Sequence, residues 1–389
     1  MNINLSQNVS FILDTFRENG YLAYVVGGCV RDALLNKTPT DWDICTNALP
    51  HQTKDIFKNH KIIETGIKHG TVTLLLDSIP YEITTFRTDG NYLDNRHPQS
   101  VNFVKTINED LKRRDFTVNA MAYNKTDGLI DLYGGQNDLK EKIIRCVGNP
   151  EERFSEDALR IIRAIRFSAN LGFTIDEKTK KAVFLLKSNL LNIATERINV
   201  EISKILLSDS QVVYAEYKEV FELFLNGASS FDEAFGNNLI KLPKDLETRL
   251  SYILLKLKLD TNTLDNLRYP SKTIKAVGEV IKNFDTKCEN IKDLRLLISQ
   301  SSHETALKIL TIKSGEEYAL EMLSKIEGMP TKISDLLICG DDLIKLGIDD
   351  GFLIGKILKG LLYLVIDEKC ENTKSNLIEK AKLFMEELK

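Results

Sequence analysis

Apolar and polar residues follow two rhythms along this chain, and the rhythm changes once. Up to Gly148-Asn149-Pro150, short runs rich in β-branched and aromatic residues recur: Tyr24-Val25-Val26, Thr71 to Leu76, Tyr81 to Phe86 and Val101 to Val104. Gly, Asn, Asp and Pro punctuate them, which predicts strands separated by turns and an α/β unit. Beyond Pro150 the period lengthens to that of an amphipathic helix, with Leu159, Ile162 and Ile165, then Ile198, Ile202, Ile205 and Leu206, and later Leu353, Ile357, Leu361 and Leu364. The remainder is predicted to be nearly all helix. Asn226 to Ser230 and Gly236-Asn237-Asn238 read as loops that divide it, and Gly328-Met329-Pro330 precedes a last segment. No repeat of fixed period is visible, which argues against a solenoid.

Length and composition narrow the class. At 389 residues the chain exceeds one compact core, so several structural units are expected. With 43% hydrophobic and 28% charged residues and only eight prolines, it is a globular composition rather than a disordered one. No basic segment leads into an apolar stretch at the N-terminus, and no run approaches the ~18 apolar residues of a membrane span. A cytoplasmic protein with no membrane association is expected. The six cysteines, at 29, 45, 146, 288, 339 and 370, show no metal-ligand or disulfide spacing and are expected to be reduced thiols. A net charge of -4 argues at first against a nucleic-acid partner. Positive charge is nevertheless local, because residues 140 to 197 carry twelve basic against eight acidic residues.

Four clusters carry candidate chemistry. Val25-Val26-Gly27-Gly28-Cys29-Val30-Arg31-Asp32 reads as strand, glycine turn and helix start. Adjacent glycines let backbone amides approach an anion, and Arg31 can fork onto phosphate oxygens, although the same pattern also serves an ordinary turn. Asp41-Trp42-Asp43 follows. On a strand, positions i and i+2 share a face, so Asp41 and Asp43 converge while Trp42 and Ile44 turn inward. Two carboxylates so placed suit Mg²⁺ bridging a triphosphate, or a solvated turn.

The third cluster, Arg113-Arg114-Asp115-Phe116-Thr117-Val118-Asn119, assembles donors and acceptors that match ribose hydroxyls or, equally, a helix cap with an ion pair. The fourth runs Glu156-Asp157-Ala158-Leu159-Arg160 to Phe167. Asp157 and Arg160 lie at i and i+3 and are expected to be neighbours on one helix face, with Arg163 and Arg166 continuing a polar stripe, or to form an intrahelical ion pair on a solvated face. Arginines at spacing three repel one another unless an anion lies alongside, such as a triphosphate or an RNA backbone.

In this order, these clusters resemble the bacterial-type (class II) CCA-adding tRNA nucleotidyltransferases, which share a superfamily with bacterial poly(A) polymerases. The resemblance rests on GGCVRD with DWD, FRTDGNYLDNRHP, RRDFTVNAMA, DLYGG, GNPEERFSEDALRIIRAIRF and ERINVEI, over about residues 20 to 200. RYPSKT and ICGDDLIKLGIDDGFLIGKILKGLLYLVIDEK are looser matches further on. The resemblance implies an elongated multidomain chain. Its α/β catalytic head, a polymerase-beta-like mixed sheet with helices, would span residues 1–148. An all-α neck with a base-reading helix (149–210), a helical body (211–328) and a helical tRNA-binding tail (329–389) would follow.

The same resemblance implies the roles of individual residues. Gly28 and Arg31 would hold the triphosphate, and Asp41 and Asp43 two Mg²⁺ ions. Arg114 would contact the nucleotide, Asp115 and Asn119 the ribose, Asp157 and Arg160 the base, and Arg163 and Arg166 nucleotide or phosphate. Chemistry agrees with the base-reading pair. A carboxylate accepts from the exocyclic amine of cytosine or adenine, a guanidinium donates to their ring acceptors, and uracil and guanine put a carbonyl where the amine belongs.

The implied activity is addition of C, C and A to the tRNA 3' end from CTP and ATP. Addition of A alone and poly(A) synthesis are rival readings, and a silent RNA-binding relative is one from another class. The resemblance disfavours CC-only addition, because family members that add only CC tend to lack the flexible loop that this chain keeps as Arg87-Thr88-Asp89 and Tyr92 through Arg96. A small-molecule nucleotidyltransferase would leave the helical region without a purpose. The sequence leaves open whether the protein is a monomer or a homodimer. No His-Asp dipeptide is present, so an appended phosphohydrolase is not expected.

Overall fold

The computed structural model describes residues 3–89 and 101–387, which form two compact units, residues 1–236 and 237–389. Tyr92 through Arg96 lie outside the described residues.

The first unit is built on a seven-stranded sheet. Its strands are β1 (Ala23–Val26), β2 (Ile44–Thr46), β3 (Lys61–Ile63), β4 (Thr71–Leu76) and β5 (Ile79–Thr85), joined later by β8 (Met121–Asn124) and β9 (Gly128–Asp131). Between them β6 (Arg87–Asp89) and β7 (Val101–Phe103) form a separate antiparallel pair. The order is β3-β4-β5-β2-β1-β8-β9, mixed as expected: β2 and β5 run parallel and every other neighbour antiparallel. β4 alternates half-buried and buried residues, the two-residue period expected of a strand with one covered face. Tyr24, Val26, Cys45, Phe86 and Ala122 pack with Ile107 and Leu111 of α4 (Ile107–Lys112) as one core cluster.

Helices α1 (Gln7–Glu18), α2 (Gly28–Leu34), α3 (Pro50–Ile56) and α5 (Gly135–Glu141) complete the sheet-containing part. The chain then continues as α6 (Pro150–Glu156), α7 (Leu159–Leu171), α8 (Glu177–Leu186) and α9 (Thr195–Leu206). These helices are tied back to the sheet-containing part. β10 (Ile143–Ile144) pairs in parallel with β11 (Thr174–Ile175), and Arg145 bridges Asp138 at 3.2 Å and Asp176 at 2.6 Å. Helix α7 ends at Gly172, whose φ of 68° is the left-handed conformation that stops a helix with least strain.

The short helices α10 (Val212–Glu216) and α11 (Lys218–Phe221) lead to α12 (Glu233–Lys241). Here one expectation is corrected: Gly236-Asn237-Asn238 is not a loop but lies inside α12. A Cβ on Gly236 would come within 2.2 Å of the Gln211 carbonyl oxygen. The glycine serves a close backbone approach, not a turn.

The second unit is all helical: α13 (Leu246–Leu257), α14 (Asn262–Asn266), α15 (Ser271–Asn283), α16 (Ile291–Gln300), α17 (His303–Ser314), α18 (Glu316–Ser324), α19 (Gly340–Ile344), α20 (Gly351–Ile366) and α21 (Lys374–Glu387). One apolar cluster gathers Val280, Leu294, Leu297 and Ile309, another Leu343, Ile357, Leu361 and Leu377. Arg295, buried on α16, joins them by donating to the carbonyls of Pro330 and Val365. Among the described residues no helix is long and apolar enough to cross a membrane. Four cysteines are buried, Cys288 is half-buried and Cys339 exposed, all as free thiols.

Candidate active site

The glycine turn sits between β1 and α2. Gly27 takes φ 81° and ψ -128°, a conformation that a Cβ opposes, and its N–H donates to the Met121 carbonyl at 3.2 Å. Gly28 is the first residue of α2 with no positive φ. The special backbone therefore belongs to Gly27, while Gly28 lies beside Arg31, whose Nη2 a Cβ on Gly28 would meet at 3.6 Å.

Asp41 and Asp43 do not lie within a strand. They form the approach to β2, and the ladder reaches them through the Val26 N–H, which donates to the Asp43 carbonyl at 3.0 Å. The alternation survives: Asp41 and Asp43 are exposed, Trp42 is half-buried and Ile44 buried. Although the Asp43 residue as a whole reaches solvent, protein packed around its carboxyl pushes that group upward, Glu82 and Asp41 add to this, and Arg114 opposes them. Glu82 precedes Ile83, the β5 partner of Ile44, so register carries this third carboxylate beside Asp43. Among the described residues no three Asp, Glu, His or Cys side chains are gathered closely enough to hold a metal ion, so Asp41 and Asp43 offer a pair of hard oxygen donors, the type a divalent cation prefers.

The third cluster is wired into the first. Arg31 donates to the Asn119 side-chain oxygen at 2.7 Å and pairs with Asp32 at 2.8 Å. Asn119 in turn reaches Asp115 at 3.4 Å, and Asp115 accepts from the Phe116 N–H at 2.8 Å. Arg114 pairs with the fully buried Asp110 at 3.2 Å and lies under Gly27, where its Nη1 would be 3.1 Å from an added Cβ. Burial raises the Asp110 carboxyl, but Arg114 and Arg113 outweigh it and hold the group low. The DLYGG segment supports this loop from behind. Asp131 accepts from the N–H groups of Gly135 and Gln136, and Gly135 packs so closely that a Cβ would lie 2.4 Å from the Thr117 carbonyl oxygen.

The fourth cluster departs from expectation. Asp157 and Arg160 are not neighbours on one helix face, because the chain breaks at Asp157. That residue is extended (φ -137°, ψ 102°), closes α6, and caps the next helix by accepting from the Leu159 N–H at 3.1 Å. Its other oxygen faces Arg197 at 3.4 Å. Arg160, inside α7, reaches Glu156 at 2.7 Å and the carbonyls of Arg153 and Arg113.

Protein carboxylates supply the anions that the arginine stripe needs. Asp115 takes Arg163 at 2.6 Å, and Glu201 of α9 takes Arg166. Burial works to raise the Asp115 carboxyl, yet the charge and hydrogen bonds of Arg163, with Arg160 adding, hold it at about 2. The Arg166 guanidinium is also shifted down, by burial first and by Arg163, despite Glu201.

The structure thus brings Gly28, Arg31, Asp43, Arg114, Asp115, Asn119, Arg163 and Arg166 into one continuous polar system. Asp157 is close enough to Arg163 to help hold it charged. The sequence alone did not single out Glu82, Asp110, Arg197 or Glu201, and Glu156 was named in its cluster without a role. The only signal for Arg197 and Glu201 was their place in ERINVEI, and for Glu82 its outward position on an alternating strand. Cys29, within the glycine turn, is pushed up to about 11 by burial and by Asp43, and is no nucleophile at neutral pH.

Known proteins share this organisation. Residues 23–145 match the family model "Poly A polymerase head domain", residues 172–216 that of "Probable RNA and SrmB- binding site of polymerase A", and residues 247–381 that of tRNA nucleotidyltransferase domain 2. The CCA-adding enzyme of Leuconostoc mesenteroides subsp. mesenteroides is 38% identical, covering 91% of this chain and 90% of that protein. That of Lactobacillus delbrueckii subsp. bulgaricus is 37% identical over 95% of both. The crystal structure of the Bacillus stearothermophilus CCA-adding enzyme in complex with CTP superposes with a TM-score of 0.83 at 29% identity, covering 98% of each chain. Likeness over nearly the whole length, on top of a glycine turn, a carboxylate pair and an arginine helix joined in one site, places this chain in the family of the CCA-adding enzymes, the bacterial-type (class II) tRNA nucleotidyltransferases.

Proposed function

We propose that this chain adds C, C and A in turn to the 3' end of tRNA from CTP and ATP, without a nucleic-acid template, in the cytoplasm. The observation that carries this reading is the unbroken polar chain from Arg31 through Asn119 and Asp115 to Arg163. It joins a phosphate-suited turn to the helix beside Asp157, so one bound nucleotide can be held by its phosphates at one end and read by its base at the other.

In the reaction the tRNA 3'-oxygen forms a bond to the α-phosphorus, the bond from that phosphorus to the bridging oxygen breaks, and diphosphate leaves. Gly28 and Arg31 bind the triphosphate, and Arg114 reaches the nucleotide from beneath the turn. Asp115 and Asn119 orient the ribose, while Arg163 and Arg166 supply charge against nucleotide or phosphate. Asp41 and Asp43 would hold two Mg²⁺, whose chemistry is to offset phosphate charge and ease loss of the proton from the attacking hydroxyl. Asp157 accepts from the exocyclic amine of C or A, and Arg160 donates to the ring acceptors. Residues 1–148 serve as catalytic head, 149–210 as neck, 211–328 as body and 329–389 as tRNA-binding tail.

The test is single-turnover incorporation of each of the four nucleotides on tRNA lacking CCA and on tRNA ending in CC. The native protein should add C, C and A on the first and A on the second. Asp157→Ala should raise U or G incorporation relative to C, because the acceptor that disfavours their carbonyl is gone. If the four rates of the variant fell by one common factor, Asp157 would be an ion-pair and capping residue only, and base reading would lie elsewhere. Addition of A to tRNA ending in CC, with no nucleotide added to tRNA lacking CCA, would favour the A-adding reading.

A further inference from the structure

One buried ring stands among three guanidinium groups drawn from two elements. The centroid of Phe167 lies 4.0 Å from the Arg166 Cζ, 5.3 Å from that of Arg163 and 5.4 Å from that of Arg31. Arg31 belongs to the helix after the glycine turn, and the other two to α7. The ring is only 6% exposed and meets Phe116 edge to face, with centroids 5.6 Å apart, so it is too enclosed to stack on a base itself.

We propose that Phe167 is a positioning residue for the triphosphate: its π face holds Arg31, Arg163 and Arg166 together in the orientation from which they meet the nucleotide. This rests on the reading of those arginines given above. Three like charges in one place repel, and carboxylates offset them in part: Asp32 pairs with Arg31, Asp115 with Arg163, and Glu201 with Arg166 and, at 3.9 Å, with Arg163. Asp32 and Asp115 draw Arg31 and Arg163 toward different parts of the chain, while Glu201 is shared by Arg163 and Arg166. The negative face of a ring attracts a cation without taking up its N–H donors, so it gathers the arginines without adding to the donors already engaged by Asp32, Asn119, Asp115 and Glu201. An aliphatic side chain would fill the space without supplying that attraction.

The experiment replaces the ring's electrostatics and leaves its shape. Phenylalanine with one, two and three fluorines is installed at position 167, alongside Phe167→Leu, in the full chain, with equilibrium binding of CTP, ATP and CMP measured for each and thermal melting followed in parallel. CTP and ATP affinity should fall stepwise with fluorine number and by about three- to thirty-fold in Phe167→Leu. CMP affinity should stay within about two-fold, because it lacks the β- and γ-phosphates. Melting should be nearly level across the fluorinated series.

Two results would overturn the proposal. One is CTP affinity unchanged across the fluorinated series; the other is CTP and CMP affinities falling together with the melting temperature, which would make Phe167 a packing residue. Arg31→Ala separates this failure from that of the underlying reading. If Arg31→Ala binds CTP as the native protein does, the triphosphate assignment itself is wrong. If it weakens CTP while the fluorinated series does not, only the role of Phe167 falls.

Discussion

Substituting alanine at the two adjacent glycines should give sharply different results, and the difference can be worked out from the backbone. At Gly27, φ 81° with ψ -128° lies where an L side chain collides with its own main chain, at a cost of order 1–3 kcal/mol. The added methyl would also stand 3.1 Å from Arg114 Nη1, so Arg114 must yield by a few tenths of an ångström while paired to buried Asp110. At Gly28 the backbone is that of an ordinary first helical residue, and the new Cβ would meet Arg31 at 3.6 Å, a normal contact. Gly28→Ala should therefore change stability by no more than about 0.5–1 kcal/mol, with a gain possible from the lower entropy of the unfolded chain. The single tryptophan, Trp42, lies in the first unit, so its fluorescence during urea denaturation follows the transition that matters. Gly27→Ala should lower that midpoint and weaken CTP and ATP alike, since the turn carries no base information. A Gly27→Ala protein as stable as the native one, or a Gly28→Ala protein less stable than Gly27→Ala, would refute the reasoning.

Three further outcomes follow from the same geometry. Asp41→Ala and Asp43→Ala should each abolish nucleotide addition and leave tRNA binding intact in a filter-binding assay; substantial turnover by either would remove them from catalysis. The Asp115 carboxyl has a lower pKa folded, about 2, than unfolded, so its stabilisation is full above pH ~4 and is lost as pH falls toward 2. Asp115→Asn should cost roughly 2 kcal/mol in urea denaturation, and the gap should stay constant from pH 7 to pH 5; a gap that closed over that interval would contradict the pairing with Arg163. Arg295→Met should strand the Pro330 and Val365 carbonyls at a cost of about 2–4 kcal/mol, lowering the calorimetric transition of the second unit while the Trp42 transition is unmoved. Movement of both transitions together would show the two units unfolding as one.

Much of the fold was legible because it is written in local period. Strand β4 covers the expected Thr71 to Leu76, and the apolar positions of α7, α9 and α20 face their cores as the helical spacing required. What failed was where one residue type serves two physical ends. A glycine beside two asparagines reads as a turn, and nothing local reveals that Gly236 is needed for an approach to the Gln211 backbone. Asp157 reads as a helix residue at i relative to Arg160, but a carboxylate that can cap the Leu159 N–H ends one helix and starts another. The candidate residues were found by type and order. Their partners were not, because Arg163 finds Asp115 48 positions away and Arg166 finds Glu201 35 positions away, separations to which periodicity is blind.

The seam at Gly148-Asn149-Pro150, where the sequence changes texture, is not a place where the molecule can be cut. Parallel pairing of Ile143–Ile144 with Thr174–Ile175 crosses it, as do the Asp138–Arg145–Asp176 bridge and the Asp115–Arg163 pair. A graft exchanging only residues 149–210 between two relatives would import Arg163 and Asp176 without the Asp115 and Arg145 that grew up opposite them. Exchanged as a whole, the first unit would keep the nucleotide-holding turn, the arginine helix and their partner carboxylates together.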